Sequence, residues 1–447
     1  MTAPGREIGF WTAVALVVGN MIGSGVFLLP ASLAPYGATS LVGWAVSAGG
    51  SIALALVFAH LARARAAAGG PYAYTRAAFG DLAGFLTGWG YWISVWCTNS
   101  ALAIAFVGYL DPFVPSLVRD KTSAAVLAVT AIWVFTWVNL RGVRSAGGVQ
   151  VITTVLKALP LVFVGLVGLA HFDPATLTAP ASDTPAAANV MTVVTLTLWA
   201  FLGLESATIP AGAVRDASRV IPRATILGTV IAAVVYVVST VGVMSLVPAE
   251  TLATSTAPFA DAAQRIAGAP AAAIIALGAA ISCLGALNGW TLMVGQLPMA
   301  MAADGLFPAF FARRSARGTP ATGIVIGAFL STALVAVDWI QWRIAGGEGR
   351  DLVLLFTQVI LLSTLSTLVP YFFCSLSVVL GLGDASGSAA GRTGHGIRLI
   401  ALAAWLYAVV AIVGAGTEVL LWGLALLAAG VPVYFWMARR RVTPPSA

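Results

Sequence analysis

Stretches of roughly 20 apolar residues, the length that carries a helix across hydrocarbon, recur along the whole of this chain. They fall near residues 10–33, 40–61, 83–110, 122–140, 149–170, 190–212, 224–247, 271–302, 321–340, 352–381, 397–415 and 417–437, which makes twelve spans. A segment inside a bilayer has to satisfy its own backbone, so these runs predict an all-α polytopic membrane protein of twelve transmembrane helices. Composition removes the soluble alternative: 60% of the 447 residues are hydrophobic and 9% are charged, against about a quarter charged in soluble domains.

Lysine and arginine set the orientation, because cytoplasmic loops retain them. With the N-terminus inside, 17 of the 23 basic residues fall in inside segments, 5 in outside loops and one, Lys157, within a span. Both termini are therefore expected in the cytoplasm. The net charge of +7 follows from this topology; the basic residues are spread over many short loops, so no nucleic-acid partner is implied. The first apolar run is long and is not followed by a clear small-residue cleavage site, so no cleavable signal peptide is expected. Cys97, Cys283 and Cys374 fall within spans without ligand spacing. They read as small apolar fillers, with no disulfide framework, metal or cofactor implied.

The first span is unusual. Gly19-Asn20-Met21-Ile22-Gly23-Ser24-Gly25-Val26-Phe27 puts three glycines in mid-membrane, where each weakens a helix by about 1 kcal/mol relative to alanine. Such glycines let a second helix come close, or they let the backbone unwind. Unwinding frees N–H and C=O groups, which hydrocarbon tolerates only where they line a cavity. The sixth span repeats the feature in Leu198-Trp199-Ala200-Phe201-Leu202-Gly203-Leu204-Glu205-Ser206. Span one opens a set of five and span six opens the next, so the two sets run in opposite senses. That is the trace expected of two inverted repeats meeting at a central site: a first repeat over 1–170, a second over 171–381, and two further helices with a tail over 382–447.

Isolated polar residues mark the same depth. Glu205 is the only acidic residue well inside a span and Lys157 the only basic one. Both are functional candidates by default, against a structural Glu satisfied by backbone and a snorkelling Lys. Burying an ionised carboxylate is costly, so Glu205 is expected to be neutral or partnered. In the third span Tyr91, Ser94 and Asn99 share roughly one side at about 100° per residue; an asparagine there is interhelical glue or a ligand contact. Gly69-Gly70-Pro71 stops any helix and predicts a tight loop or re-entrant turn. Most tryptophans suit the interfacial belt, but Trp199, Trp290 and Phe356 are central by position, and an aromatic wall there suits a cationic or planar head.

If the two breaks face each other, the N–H groups of Ser24 and Gly25 at the start of the second half-helix form a small anion site. Carbonyls of Met21, Trp199 and Leu202 suit an ammonium. Together they would hold the α-carboxylate and α-amino group of an amino acid. A polytopic enzyme is disfavoured, because His60, His171 and His395 lie near span ends or in loops and no catalytic motif is present. The paired breaks also favour alternating access over a channel.

Several motifs then carry a resemblance: 19–27, Gly69-Gly70-Pro71-Tyr72-Ala73-Tyr74, 198–206, Gly289-Trp290-Thr291-Leu292-Met293-Val294-Gly295-Gln296, Asp304-Gly305-Leu306-Phe307-Pro308 and Thr367-Leu368-Val369-Pro370-Tyr371. In this order they resemble the amino acid–polyamine–organocation transporters over almost the whole chain. The likeness is strongest to the bacterial arginine/agmatine antiporters, with the lysine/cadaverine antiporters near them. The resemblance implies a LeuT-like 5+5 inverted repeat with broken helices 1 and 6, plus two C-terminal helices. It also implies a homodimer in the bacterial inner membrane that exchanges a basic amino acid for its decarboxylated diamine.

By position, the resemblance puts Asn20, Met21, Ser24 and Gly25 on the substrate's backbone end with carbonyls of Trp199 and Leu202. Trp290 would stack on the guanidinium, with Asn99, Ser363 and the backbone of Ser94 and Val95 as hydrogen-bond partners. Trp199 would close over the substrate and Phe356 would line the site. Tyr91, Glu205 and Tyr371 would form gates, with Glu205 and Tyr72 pH-sensitive. Met21 and Leu202 stand where the antiporters have isoleucine, Leu102 where they have methionine, and Phe85 where they have tyrosine. Lys157 departs most. The antiporters have a small apolar residue there, whereas sodium-independent permeases of the superfamily have a lysine that stands in for a cation. This raises proton-coupled or broad-range amino acid uptake as the alternative.

Overall fold

The computed structural model describes residues 7–173, 186–255, 257–344, 352–382, 394–414 and 417–442, with side chains described outside 186–188, 338, 352–365, 418–419, 422 and 440–442. Helices dominate: α1 (Phe10–Met21), α2 (Thr39–Ala64), α3 (Pro71–Phe79), α4 (Asp81–Gly108), α5 (Lys121–Leu140), α6 (Val143–Ala170) and α7 (Ala186–Leu198) in the first half. Then come α8 (Ala217–Leu246), α9 (Pro258–Ala267), α10 (Ala269–Ala303), α11 (Ala321–Ile344), α12 (Leu352–Val379), α13 (His395–Gly414) and α14 (Thr417–Val442). Each of the twelve expected windows falls on a helix or a broken helix. Among the described residues, 9 helices are long and apolar enough to cross a membrane, and 10 if α1 and the helical turns of Gly25–Tyr36 count as one span bent by 44°. α12 and α14 contribute shorter described apolar stretches, Ser366–Val379 and Gly423–Arg439.

The loop at Gly69 and Gly70 takes positive φ at both glycines, as a turn this tight requires. The chain then enters a helix, α3, with Pro71 at its first position, where the missing N–H costs nothing. The face bearing α3, Ile8 and most of the arginine-bearing loops is the one the basic residues are expected to hold inside, and is called the inner face below.

α1 sits at the centre. From Ala13 to Met21 every residue is buried, and α6, α8 and α10 pack around it. α4 in turn packs on α10 and α12, and α8 on α2 and α6. Lipid-facing apolar side chains such as Trp11, Ile152, Leu159 and Ile274 remain exposed on the outside of the bundle. Before α1 the chain is pinned to the segment after the second break: Ile8 N–H donates to the Ala213 carbonyl and Arg215 N–H to the Ile8 carbonyl, both at 3.0 Å. The Glu7 carboxylate accepts the Arg144 N–H at 2.9 Å, fastening the same segment to the start of α6.

The contact of α6 with α8 is backbone on backbone. A Cβ at Gly168 would lie 2.1 Å from the Gly242 carbonyl oxygen, and one at Gly242 would lie 2.5 Å from that of Gly165. Small residues are what lets membrane helices approach this closely, since lipid supplies no hydrophobic drive between them. Gly168→Val is therefore expected to separate the pair and lower stability by about 1–3 kcal/mol, read as a fall in melting temperature in detergent; an unchanged melting curve would show that the two helices need no such contact.

Candidate functional site between the two broken helices

α1 ends at Met21 because Ile22 turns to extended backbone, with φ −75° and ψ 90°. The carbonyls that lose helical partners there are met by side chains. Lys157, fully buried on α6, donates Nζ to the Gly19 carbonyl and to the Ile22 carbonyl at 2.6 Å. Ser282 Oγ on α10 donates to Ile22 and Gly23 carbonyls at 3.2 and 3.0 Å. The lysine thus sits at the negative end of the α1 dipole and supplies the donors that the unwound turn lacks. The Met21 and Trp199 carbonyls, expected to be bare, each accept a turn-closing backbone N–H, from Gly23 at 2.9 Å and Leu202 at 3.3 Å.

The second break follows α7. One turn of 3-10 helix, Trp199–Phe201, leads to extended Leu202 and then to Gly203 at φ +103°. Glycine is needed there twice over, for its φ and because a Cβ would lie 3.0 Å from the Trp290 ring and 3.3 Å from the Asn20 backbone. Glu205, fully buried, accepts hydrogen bonds from the hydroxyls of Tyr91 on α4 and Tyr371 on α12. The Tyr371 oxygen also accepts the Gly203 N–H at 3.2 Å. Asn20 Nδ2 donates to Ser206 Oγ at 2.9 Å, so the breaks face each other and are tied directly.

Between them lies a cavity of about 50 Å³ lined by Asn20, Met21, Ser24, Gly25, Leu102, Trp199, Leu202 and Trp290, together with Gly23, Val26, Thr98, Ala101, Ala200 and Thr367. The Trp199 indole lies on Gly25: a Cβ at Gly25 would come within 1.4 Å of its Cζ3 atom. Trp290 packs edge-on to Tyr91, ring centroids 6.3 Å apart. No Asp or Glu lines the cavity among the described residues. A much larger cavity, about 620 Å³, lies on the outer side between Phe27, Tyr109, Phe259 and the start of α10, and shares Ser24 with the central one.

The structure thus brings eight of the thirteen expected binding residues to one cavity. Ser94, Val95 and Asn99 are buried near it on α4 without lining it; Ser94 Oγ donates to the Tyr91 carbonyl at 2.7 Å and accepts from Thr367 Oγ1 at 3.2 Å. The Asn99 Oδ1 and Asn20 Oδ1 atoms are buried with no hydrogen-bond partner among the described residues. Phe356 and Ser363 lie outside the residues whose side chains are described. Sequence reading missed Thr98, Ala101 and Thr367; Thr98 stands one position before and Ala101 two after the Asn99 that drew notice, and their own types carry no signal.

Tyr72 stands apart from this cavity, on the inner face. Its hydroxyl donates to Asp304 Oδ2 at 2.9 Å, and Arg76, one turn on, bridges Asp304 and Asp81 at 2.7 Å each. Burial and the Asp304 carboxylate push the Tyr72 phenol far above its ordinary range. It is a neutral donor at physiological pH, so any pH response routed through it acts on its acceptor.

Comparison with known proteins agrees with this geometry. Residues 8–382 match the amino acid permease family. The chain is 36% identical over 379 residues to the cadaverine/lysine antiporter of Escherichia coli, covering 84% of this chain and 83% of that protein. It is 33% identical over 455 residues to the arginine/ornithine antiporter of Pseudomonas aeruginosa, covering 98% and 92%. Among solved structures it is similar to MhsT in complex with L-phenylalanine, with a TM-score of 0.64 at 13% identity over 91% of this chain and 98% of that one; at that identity the likeness is one of fold.

Lys157→Met keeps the apolar stem and removes the donors, stranding the Gly19 carbonyl and leaving the Ile22 carbonyl to Ser282 Oγ alone. Each buried orphan costs about 1–3 kcal/mol, so the variant is expected to lose several degrees of melting temperature in detergent. Unchanged stability would mean the break is satisfied without the lysine.

Proposed function

Since the chain belongs to the amino acid permease family and is a membrane transporter of the amino acid–polyamine–organocation superfamily, not an enzyme, we propose that it is an antiporter that exchanges a basic amino acid for a second linear cation by alternating access. The observation that carries this reading is the cavity closed between the two breaks, with Trp199 and Trp290 in its wall and no acidic lining residue among those described. Arginine for agmatine is the pair favoured by the sequence resemblance. The two relatives above are named for lysine with cadaverine and for arginine with ornithine; all five compounds share an extended chain that ends in a cation.

In this reading Asn20, Met21, Ser24 and Gly25, with the backbone of Trp199 and Leu202, hold the amino-acid end. Trp290 stacks on the terminal cation, and Leu102, Thr98, Thr367, Asn99, Ser94, Val95, Phe356 and Ser363 shape the compartment around it. Rings and neutral oxygens bind a cation less firmly than a carboxylate would, which favours release. Trp199 closes the outer side and Glu205 with Tyr91 and Tyr371 the inner side, with Tyr72 on the inner latch. The 1–170 and 171–381 segments form the two inverted repeats, 382–447 adds the last two helices, the termini lie in the cytoplasm of a bacterial cell, and the working unit is a homodimer in its inner membrane.

Lys157 supports a second reading, proton-coupled or broad-range uptake, because permeases with a lysine at the break need no metal cation there. Proteoliposomes decide between them. Radiolabelled arginine is expected to enter only when the vesicles hold arginine, agmatine, ornithine or cadaverine. Uptake into empty vesicles under a proton gradient would overturn antiport, and indifference to all four loads would overturn the substrate class.

Two variants test the roles. Trp290→Ala is expected to lower arginine affinity about tenfold, the scale of a desolvated cation–π contact, while the protein still folds; equal affinity would refute stacking. Protonating Glu205 removes the charge that draws two phenols across the inner side. Exchange is therefore expected to quicken in acid and Glu205→Gln to flatten that pH profile. A variant with the parent's profile would place the sensor elsewhere.

A further inference from the structure

Behind the central cavity, buried side-chain amides join four helices in one direction. Asn139 on α5 donates Nδ2 to the Asn288 side-chain and backbone oxygens at 3.2 and 3.3 Å. Asn288 on α10 donates Nδ2 to Gln150 Oε1 and to the Ala146 carbonyl, both at 2.9 Å. Gln150 on α6 donates Nε2 to the Ala15 carbonyl of α1 at 3.3 Å, where Thr154 Oγ1 joins it at 3.1 Å. Asn139 and Gln150 are 0% exposed and Asn288 is 1% exposed, so none of these amides has water as a substitute partner.

The relay does not line the transport site but adjoins residues that do. The Ala15 carbonyl stands one turn ahead of Gly19, and extra donors on a helical carbonyl loosen the helix's own bond at that turn. At the other end Asn288 precedes Trp290 by two positions, roughly 200° around the helix. Holding Asn288 against α5 and α6 therefore fixes the rotation that aims Trp290 into the cavity. Gly289 between them abuts the first break: a Cβ there would lie 1.8 Å from Asn20 Oδ1 and 3.0 Å from Gln150 Oε1.

We propose that Asn139, Asn288 and Gln150 are positioning residues: their amide relay holds the inner half of α1 in its closed place while aiming Trp290, and it has to part when α1 swings to open the inner side. Weakening the relay then shifts the carrier toward its inward-open form, which lowers affinity on the outer side and raises it on the inner side. The functional consequence and the swing of α1 rest on the transport reading above; the relay's hold on α1 rests on its hydrogen bonds alone.

The test uses Gln150→Leu, Asn288→Leu and the milder Thr154→Val, reconstituted and assayed for arginine exchange with substrate varied on one side at a time. One lost buried hydrogen bond corresponds to about fivefold. Outside KM is expected to rise by about that factor and inside KM to fall, with Thr154→Val moving the same way and Asn288→Leu with Gln150→Leu no worse than the worse single change, as a unit requires. KM values that move together, a change in maximal rate alone, or additive effects would point to a merely structural role and overturn the proposal. A second readout needs no substrate: Ala15→Cys in a background with Cys97, Cys283 and Cys374 changed to Ser, labelled by maleimide from the inner side. The relay variants are expected to label about fivefold faster, and equal labelling overturns the proposal. Faster labelling without arginine exchange in any variant or the parent would instead remove the transport reading and leave the relay standing.

Discussion

The carbonyls of Gly19, Ile22 and Gly23 lie in the interior of a membrane protein with their helical partners gone, and the rest of the structure is arranged around meeting them. The donors come from side chains on other helices: Lys157 from α6 and Ser282 from α10. A cation suits the site because the end of α1 is the negative end of a dipole. Once these donors are required, α6 and α10 have to lie against α1. The neighbouring contacts then demand glycine at 19 and 289, where a Cβ would strike Gln150 and Asn20 at 2.0 and 1.8 Å.

The second break is met in a different way, and the difference shapes the chemistry. There the chain itself supplies a carboxylate, and two phenols from α4 and α12 satisfy it. The ionisable side chains thereby stay on the flanks, a lysine behind the first break and a glutamate beneath the second, while the cavity between them presents rings, hydroxyls and backbone. An ion pair across the cavity would hold a cationic substrate more strongly, and would also hold it in place. With both groups engaged elsewhere, no carboxylate is left to hold the cargo of the proposed exchange in place, which favours its release.

Much of this was legible in the sequence, and for physical reasons. All twelve hydrophobic windows fall on helices because bilayer thickness imposes a length that no local preference can override. The two breaks were visible because glycine is costly in mid-membrane, and Lys157 and Glu205 because charge there is costlier still. Pairings across distant positions were not visible. Nothing in the sequence joins Asn139 to Asn288, or Gln150 to Ala15, although Gln150, Thr154 and Lys157 stand at i, i+4 and i+7, one polar stripe on an otherwise apolar helix. That stripe was a readable sign that α6 faces a polar partner. Thr98 and Thr367 gave no such sign, since hydroxyls are common in membrane helices and only the fold shows which of them reach the cavity. The turn at Gly69 and Gly70 was foreseen, but the helix it starts was not, because Pro71 reads as a breaker until it is recognised as a helix's first residue.

The two sides of the cavity are closed to different depths. Toward the outer face a single layer, the Trp199 indole on Gly25 with the Tyr109 hydroxyl 3.4 Å from the Ser24 carbonyl, separates the central cavity from about 620 Å³ of open space. Toward the inner face three fastenings lie in series: the phenols on Glu205, the Tyr72 and Arg76 contacts to Asp304, and the Ile8 strand pinned to Ala213 and Arg215. A carrier built this way opens outward cheaply and inward only when something offsets several hydrogen bonds and an ion pair. A ligand can shift such an equilibrium only by its differential affinity for the two forms, so an empty cavity of about 50 Å³ supplies nothing toward inward opening, and a filled one does.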